Sequence, residues 1–336
     1  MDTYEDSLYE FTGQFDYVLE QHKAHNLSVQ DYKNVVLGGL GGSGIAAAIA
    51  KNWFFDAFPV PVETVNDYSL PAYTNENTLV VLNSYSGNTE ETLSLYEDAV
   101  NRSCKLVIIA SGGKLLELAK EHNHIHYIIS GGFQPRMTIG FGLSFQLLIL
   151  SELIGQDLKP VLAEIRDKFE ENHEAQLASA EKIFNFFSAN LKQKFVILSD
   201  RFFAPVALRF AQQVNENAKL EAFVNILPES NHNVIESYVG RLPCNFLMLY
   251  TDTNPRVAAR FDFVLSHLEV DNNKVLPLFI PEYSLLSIFD MIYRLDWVSV
   301  IMANEVHAPL MEVPVITNLK EYLSELEIIE GEEEDQ

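Results

Sequence analysis

A glycine-rich stretch at residues 38–44 (GGLGGSG) lies between an apolar segment and a run of small residues. Glycines let a backbone approach a bound anion closely, and a helix that starts there offers free N–H groups and the positive end of its dipole. Ser43 can add a hydroxyl. The stretch also has the GxGxxG spacing of dinucleotide-binding loops, from Gly39 to Gly44, with Glu63 at a distance suited to a ribose. A phosphate site, a dinucleotide site and a tight turn without a ligand are all compatible with it.

A second polar loop at residues 83–92 (NSYSGNTEET) distinguishes among these possibilities. Ser84, Ser86 and Thr89 bring three hydroxyls to the start of one predicted helix, and Gly87 allows a sharp bend between them. Ordinary N-capping, with Ser or Thr followed three residues later by Glu, explains only one of these hydroxyls. A dinucleotide needs no second cradle of this kind, whereas a compact phosphate group does. The two loops together therefore favour a phosphate ligand.

Three further side chains are of types suited to acid–base or oxyanion chemistry. Arg136 follows a proline, and its cation could stabilise an oxyanion, although a surface arginine or helix-end partner would look the same. Glu216 lies between two asparagines at the end of an amphipathic helix, as a general base or as part of a solvated helix end. His232 follows the predicted strand 223–227, where sites form in parallel α/β sheets, and can exchange a proton near neutral pH. For His232 the alternative is a hydrogen-bonded structural loop.

Alternating apolar and helix-like segments must position these side chains. Such alternation predicts an α/β fold with parallel sheets flanked by helices. The predicted strands are residues 34–37, 61–65, 78–82, 105–110, 126–129, 195–198, 223–227, 246–250 and 275–280. The predicted helices are a lead-in over residues 3–30, helices 45–53, 140–154 and 158–188, one that ends near residue 100, and others that begin near residues 114, 205, 256 and 284.

The pattern divides the chain into two lobes of similar plan. Residues 1–155 form the first predicted lobe, with the helical lead-in and both polar loops, and residues 156–324 form the second, with Glu216 and His232. Residues 325–336 are predicted to form a solvated acidic tail. With 336 residues, 48% of them hydrophobic, the chain is long enough for two lobes with a large core.

Charge and cysteine content exclude several classes of partner. Lys and Arg number 23 against 47 Asp and Glu, a formal net charge of -24, so the surface should repel nucleic acid and anionic membranes. The most apolar helical stretch, residues 139–150, is too short to span a bilayer. Cys104 and Cys244 lie in apolar runs typical of buried thiols, which favours a reducing cytoplasm over a disulfide.

Histidines recur at every second residue in one segment, at His122, His124 and His126. On a strand this spacing would align three imidazoles on one face, as in a metal site. Neither Cys nor a paired carboxylate accompanies them. We therefore expect an exposed strand entry at this segment and no bound metal.

The two polar loops, GGSG at residues 41–44 and SYSGNTEET at residues 84–92, resemble those of the sugar isomerase (SIS) domain. In that family the Ser/Thr loop holds the phosphate of a sugar phosphate. The resemblance implies that a sugar-phosphate substrate is bound through its phosphate by Gly42, Ser43, Ser84, Ser86 and Thr89.

Three further motifs resemble those of the bifunctional phosphoglucose/phosphomannose isomerases, a branch of the phosphoglucose isomerase superfamily: QPR at residues 134–136, NENAK at 215–219 and ESNHN at 229–233. The resemblance covers roughly residues 30–320 and retains the order of the family's motifs. It implies that Glu216 is the base, that His232 opens the sugar ring and that Arg136 faces the enediolate.

The implied activity is aldose–ketose isomerisation, which interconverts fructose 6-phosphate with glucose 6-phosphate and/or mannose 6-phosphate through a cis-enediolate, with no redox cofactor and no metal. The family also implies a homodimer in which His232 reaches the neighbouring subunit's site. Its Asp-Pro-Thr-Pro-Val-like stretch is replaced here by VHAPLMEVP at residues 306–314, and Lys320 is the match for its ring-opening lysine. The alternative is a non-catalytic sugar-phosphate sensor, which would need neither Glu216 nor His232.

Overall fold

The computed structural model describes residues 3–238, 242–268 and 273–325. Within these ranges the chain forms two parallel sheets flanked by helices, which confirms the predicted α/β fold class. The strands are β1 (Asn34–Gly38), β2 (Val62–Val65), β3 (Thr78–Ser84), β4 (Lys105–Ala110), β5 (Ile125–Ile128), β6 (Phe195–Ser199), β7 (Ala222–Ile226), β8 (Asn245–Tyr250) and β9 (Lys274–Phe279). The helices are α1 (Tyr4–Tyr9), α2 (Phe11–Gln21), α3 (Gly42–Trp53), α4 (Glu90–Asn101), α5 (Gly113–Glu121), α6 (Ile139–Leu153), α7 (Lys159–Phe187), α8 (Ala204–Gln213), α9 (Pro255–Leu268), α10 (Leu285–Glu305) and α11 (Pro314–Glu325).

The first sheet has the strand order β2-β1-β3-β4-β5, and every neighbouring pair is parallel. Its central strands are continuous apolar runs, because helices cover both faces of the sheet. Gly38 at the end of β1 pairs with Leu82 of β3, and Ser84 at the end of β3 pairs with Ala110 of β4. The loops that follow β1, β3 and β4 therefore leave the sheet at one edge, where ligand sites of open α/β sheets form.

The second sheet has the strand order β7-β6-β8-β9 and is also parallel. β6 is buried along its whole length, whereas Phe223 and Ile226 of β7 are exposed. Because β7 is an edge strand, the loop that carries His232 starts from the margin of this sheet and not from its centre.

One apolar cluster extends from the first sheet to the second, and it includes Val81 of β3 and Ile197 of β6. α6, α7 and α10 contribute many of its side chains. α6 is apolar on nearly every side, as a helix in the interior of a protein must be. α10 packs against α7, α8 and the turn that follows α8. That turn carries Glu216, so the candidate base is held against the shared core.

The lead-in predicted as a helix over residues 3–30 is continuous helix only as far as Gln21, apart from the break at Glu10. Asn26 has a φ of 56°, which no helix can accommodate. One ring nitrogen of His25 accepts a hydrogen bond from the Leu27 N–H at 3.0 Å, and the other donates to the Ile149 carbonyl at 3.0 Å. These hydrogen bonds hold the chain after α2 in a non-helical conformation. Local sequence could not reveal this, because Ile149 lies far from His25 along the chain.

Two further expectations concern length and termini. In the part of the chain that the structure describes, no helix is both long and apolar enough to cross a lipid bilayer. Of the predicted acidic tail, residues 325–336, only Glu325 lies within the described residues.

A buried histidine, His22, directly follows α2. Its ring stacks on that of Tyr127, with the ring centroids 5.3 Å apart and the planes 3° apart. Neither ring nitrogen has a hydrogen-bond partner within the described ranges, and Nε2 lies 3.8 Å from the nearer carboxylate oxygen of Glu152. Burial, with a smaller contribution from the Lys159 ammonium, lowers the pKa of His22 to about 4.

This lowered pKa predicts a loss of stability in acid. Between pH 6.5 and pH 4 the unfolded chain binds a proton at His22 that the folded chain excludes. The contribution of neutral His22 to stability is therefore complete above pH 6.5 and is lost as the pH falls through this window, by about 2 kcal/mol at pH 5. His22→Phe keeps a ring against Tyr127 but cannot titrate.

Between pH 7 and pH 5 the free energy of unfolding should fall in both proteins, and we expect the fall in His22→Phe to be smaller than the fall in the wild type by about 2 kcal/mol. Urea unfolding at both pH values measures the difference. The exposed His122→Phe variant is the control and should behave as the wild type does. Parallel losses of stability in the wild type and His22→Phe would show that His22 is not the group responsible.

Candidate active site

The glycine-rich loop is a tight connection between β1 and α3. Gly41 precedes the helix with a φ of 54°, in the left-handed region that favours glycine. A Cβ on Gly39 would lie 2.8 Å from the Asn83 carbonyl oxygen, and one on Gly44 would lie 2.6 Å from the Gly39 carbonyl oxygen. Side chains at these two positions would push the loop out of place. The close approach of Gly39 to Asn83 also puts this loop in contact with the end of β3.

The Ser/Thr loop joins β3 to α4 and is tied together by its own hydroxyls. The Ser84 and Thr89 hydroxyl oxygens are 3.0 Å apart, and Ser84 also accepts a hydrogen bond from the Gly87 N–H at 3.2 Å. Ser86 accepts one from the Asn88 N–H at 3.2 Å. Thr89 occupies the cap position of α4 but its side chain makes no capping hydrogen bond. Ordinary capping therefore does not account for the hydroxyls of this loop.

The Ser/Thr loop is also interlocked with the loop that follows β4. Gly87 has a φ of 66°, and a Cβ there would lie 1.9 Å from the Gly112 carbonyl oxygen. Gly113 has a φ of 69°, and a Cβ there would lie 2.3 Å from the Ser86 carbonyl oxygen. The two backbones touch directly, so the conformation of the Ser/Thr loop depends on its neighbour.

Arg136 is buried, with 5% of its surface exposed, in the turn that precedes α6. Its Nη1 donates to Glu216 Oε1 at 2.9 Å, and its Nε donates to Asn217 Oδ1 at 2.8 Å. Its Nη2 donates to the Leu310 carbonyl at 2.6 Å. These contacts rule out the surface-arginine alternative. They join the first lobe to the turn of Glu216 and to the segment before α11.

Glu216 lies in a single π-helical turn, Val214–Ala218, that continues α8. Such turns are rare and are often found at functional sites. Asn217 is fully buried and its Nδ2 donates to the Ser299 hydroxyl at 2.9 Å, which anchors the turn to α10. The Glu216 side chain itself is 30% exposed, so it faces a space that a ligand can enter. The alternative of a solvated helix end does not fit these contacts.

A buried ion pair between Arg209 and Asp296 supports the main chain of Arg136. Arg209 Nη2 donates to the Arg136 carbonyl at 2.9 Å, and Nε donates to Asp296 Oδ1 at 3.1 Å. Gln213 Nε2 donates to Asp296 Oδ1 at 3.2 Å and also contacts the Tyr4 hydroxyl. Burial alone would lower the pKa of Arg209, but Asp296, Tyr4 and Glu216 together outweigh this effect and raise it. Local sequence did not single out Asp296, because α10 also carries Asp290 and Arg294 among its apolar residues.

A cavity of about 300 Å³ brings several of the predicted site residues together. It is lined by Gly41, Gly42, Arg136, Arg209, Gln212, Gln213, Asn215, Glu216 and Ile316. Gly42, Arg136 and Glu216 thus share one space, although they come from three distant parts of the chain. Ile316 adds α11 to the wall of the cavity.

The remaining predicted residues lie elsewhere. Ser43 follows the lining residue Gly42 in the first turn of α3, and Ser84, Ser86 and Thr89 are on the loop that follows β3; none of the four is a lining residue. His232 is exposed in the short turn Glu229–His232 after β7. Lys320 is exposed on α11, four residues after Ile316. Neither His232 nor Lys320 lines the cavity of this chain.

The histidine segment leads from α5 into β5, as expected of a strand entry, with His122 exposed and His124 and His126 partly buried. His122 ends α5, and β5 begins only at Ile125, so the three residues do not share one strand face. His124 Nε2 is 3.2 Å from the Tyr96 hydroxyl, and His126 Nδ1 donates to the His124 carbonyl at 2.9 Å. Among the described residues, no group of three or more His, Cys, Asp or Glu side chains is arranged to hold a metal ion.

The chain matches two family models. Residues 28–134 match the SIS domain, and residues 179–323 match the bacterial phospho-glucose isomerase C-terminal SIS domain. The first match contains the glycine-rich loop and the Ser/Thr loop, and the second contains Glu216, His232 and Lys320. In the solved structures, the C-terminal domain of a glucosamine-fructose-6-phosphate aminotransferase from Francisella tularensis has the same fold, with a TM-score of 0.72 and 16% identity over 93% of this chain and 99% of that one.

Two curated relatives extend the similarity over most of the chain. A bifunctional phosphoglucose/phosphomannose isomerase of Aquifex aeolicus is 35% identical over 301 residues, which cover 87% of this chain and 91% of the relative. One of Caldicellulosiruptor bescii is 30% identical over 330 residues, which cover 92% and 95%. On these similarities, together with the fold and the two family matches, the chain belongs to the bifunctional phosphoglucose/phosphomannose isomerase family.

Proposed function

We propose that this protein interconverts fructose 6-phosphate with glucose 6-phosphate and mannose 6-phosphate. The observation that carries the proposal is the pair of Arg136 and Glu216, 2.9 Å apart in a cavity whose wall includes Gly42 at the start of α3. A carboxylate beside a fixed guanidinium can move a proton while the cation stabilises the oxyanion that forms. A helix N-terminus and a hydroxyl-rich loop beside them suit the phosphate end of the substrate.

The proposed mechanism gives each residue one task. The Ser/Thr loop and Gly42 hold the phosphate. His232, with Lys320, opens the sugar ring by moving a proton from the anomeric hydroxyl to the ring oxygen. Glu216 removes the proton from C2 of the open-chain aldose and returns it at C1, and the reverse reaction follows the same path. Arg136 binds Glu216 Oε1, and we assign proton transfer to Oε2. Glucose and mannose 6-phosphates differ only at C2, so one enediolate serves both.

A non-catalytic sugar-phosphate sensor is the rival function, and the site does not favour it. A sensor needs the phosphate loops but gains nothing from a half-buried carboxylate bound to a buried guanidinium. Desolvating two such charges is costly unless they are well paired. The contacts of Arg136 with Glu216 and with the buried Asn217 instead suit acid–base chemistry, because they hold a carboxylate and a cation side by side in the cavity.

The direct test is to incubate the protein with fructose 6-phosphate, with no added metal or cofactor, and to follow the sugar phosphates by NMR. We expect signals of both glucose 6-phosphate and mannose 6-phosphate to appear. Carrying out the reaction in D₂O should also introduce deuterium at C2 of the products, because the transferred proton exchanges with solvent. A protein that is folded and binds fructose 6-phosphate but forms neither product would support the sensor instead.

The phosphate assignment predicts a specific loss of affinity. Ser86→Ala and Thr89→Ala each remove a hydroxyl donor to a charged acceptor, so we expect each to weaken fructose 6-phosphate binding by roughly 10- to 150-fold. Calorimetric titration measures the dissociation constants. Ser266→Ala, which removes an exposed hydroxyl from α9, is the matched control and should leave binding unchanged. Wild-type affinity in both loop variants would remove this loop from the phosphate site.

We propose further that the working unit is a homodimer whose site takes His232 from the neighbouring chain. His232 is exposed at the margin of the second sheet, and it does not line the cavity of its own chain. α11 buries none of its residues, and Leu319 and Tyr322 expose apolar surface beside the cavity. A second chain that covers this surface and contributes its own His232 would complete the site.

The cysteines bear on the compartment. Cys104 and Cys244 are both free thiols, and burial raises the pKa of each, which makes them unreactive. Free thiols of this kind are typical of a reducing compartment. We therefore propose that the protein acts in the cytoplasm.

A further inference from the structure

Lys219 ends the π-helical turn of Glu216, and its ammonium is surrounded by main-chain carbonyls. It has a φ of 57°, in the left-handed region. Its Nζ contacts the Glu216 carbonyl and donates to the Glu312 carbonyl at 2.9 Å and the Pro309 carbonyl at 3.1 Å. A lysine ammonium has three donors, and three acceptors are present here. Partial burial lowers the pKa of Lys219, and the nearby Arg136 lowers it further, while Glu216 and Glu312 oppose the shift.

The segment that Lys219 binds, residues 309–312, is bound by a second cation as well. Arg136 Nη2 donates to the Leu310 carbonyl at 2.6 Å. Carbonyls of three of the four residues in this segment therefore accept hydrogen bonds from the two cations that flank Glu216. Charge-assisted hydrogen bonds of this kind are shorter and stronger than neutral ones. The segment is fastened through its backbone by these bonds, and its Leu310 and Met311 side chains also pack, partly buried, against the core.

The segment leads directly into α11, whose Ile316 forms part of the cavity wall. α11 buries none of its twelve residues in this chain, so packing of its own contributes little to its position. The direction in which α11 leaves the core then depends on how residues 309–312 are held. Arg136 is affected too, since one of its three hydrogen bonds goes to this segment.

We infer that Lys219 is a positioning residue that holds residues 309–312 against the Glu216 turn and thereby sets the cavity wall and the orientation of Arg136. The inference rests on the proposed isomerase function. Lys219 does not reach the reacting atoms itself. Its side chain is exposed, so loss of the ammonium leaves carbonyls that water can satisfy, and the fold should survive. Within the described ranges, the Lys219 ammonium bonds only Glu216, Pro309 and Glu312, none of them on the two loops proposed to hold the phosphate, so substrate anchoring should also survive.

The test compares Lys219→Met, Lys219→Arg and the control Lys194→Met, which removes an exposed lysine paired with Glu221 at 3.3 Å. We expect Lys219→Met to lower kcat on the order of 10²-fold, as a misplaced site does, with KM for fructose 6-phosphate changed by less than about threefold. Lys219→Arg keeps a cation with several donors and should recover most of the loss. Lys194→Met should match the wild type. A purely structural role would instead lower the melting temperature and leave kcat per folded molecule unchanged.

A second measurement reports on the segment without activity. A glutamate-specific protease should cut after Glu312 several-fold faster in Lys219→Met than in the wild type or Lys194→Met, because the segment has lost its fastening. Equal cleavage rates would overturn the inference, and so would a kcat equal to that of the control. A Lys219→Met protein that fails to fold would overturn it too, because the residue would then serve the fold. If the wild type itself does not turn over fructose 6-phosphate, the proposed function fails, while the cleavage rates still decide whether Lys219 fastens the segment.

Discussion

Glu216→Gln should reduce turnover of fructose 6-phosphate by at least about 10²-fold, the usual size of a general-base contribution. Glutamine has the shape of glutamate, and its side-chain oxygen can still accept the hydrogen bond that Arg136 Nη1 donates at 2.9 Å. It cannot accept the proton that Glu216 takes from C1 of fructose 6-phosphate. The change therefore removes one chemical step and leaves the cavity intact.

Three measurements make this prediction sharp. Turnover should fall, the dissociation constant for the sugar phosphate should stay close to the wild-type value, and deuterium incorporation at C2 of the products in D₂O should disappear. Glu221→Gln, an exposed carboxylate five residues away that pairs with Lys194, is the control and should behave as the wild type does. A folded Glu216→Gln variant with near-normal exchange at C2 would remove Glu216 from the role of base.

A larger qualitative effect is expected from mixing two inactive chains. Glu216→Gln and His232→Ala should each be inactive as homodimers. If His232 acts on the neighbouring chain's site, each mixed dimer has one site with both lesions and one with none. Random pairing of equal amounts makes half of the dimers mixed, so about a quarter of wild-type activity should return after the two are unfolded and refolded together.

The matched control uses two lesions that belong to one cavity. Arg136 and Glu216 of the same chain are in direct contact, so a mixture of Arg136→Met with Glu216→Gln damages both sites of every mixed dimer. That mixture should stay inactive. If the Glu216→Gln and His232→Ala mixture also stays inactive, although mixed dimers are shown to form, then each chain supplies its own His232. Activity in the control mixture would mean that Arg136 and Glu216 act across chains.

The fold was predictable to a large extent because its central strands are continuous apolar runs, as burial on both faces of a parallel sheet requires. All nine predicted strands fall within two residues of those observed, including edge strands such as β2 and β7, whose runs contain polar residues. The turns after β1 and β3 were predictable for a similar reason: their glycines and hydroxyls are local features. The same holds for the turns that carry Arg136, Glu216 and His232, whose residue types indicated chemistry before any contact was known.

The contacts that make a cavity of these residues were not predictable. Arg136 meets Leu310 across 174 positions in sequence, and Lys219 meets Glu312 across 93. Their acceptors are main-chain carbonyls, which every residue has, so no residue type marks them. The Arg209–Asp296 pair is likewise set by the packing of α8 on α10. The π-helical turn at Val214–Ala218 could not be predicted either, because it lies at the end of α8 and no further helix follows in which a shifted apolar periodicity would show.

The interlocked glycines at the edge of the first sheet also limit how this protein can evolve. Gly87 and Gly113 each face the backbone of the other's loop, so a mutation at either position displaces two connections at once. At Gly112, the residue before Gly113, a Cβ would meet no other atom within 4 Å, so this position can change without that penalty. Lineages descended from this chain can therefore vary Gly112 freely, but they can replace Gly87 or Gly113 only through paired changes that rebuild both loops. The positions of the hydroxyls in the Ser/Thr loop are constrained in the same way, because a single substitution at Gly87 or Gly113 would displace the backbone that carries them.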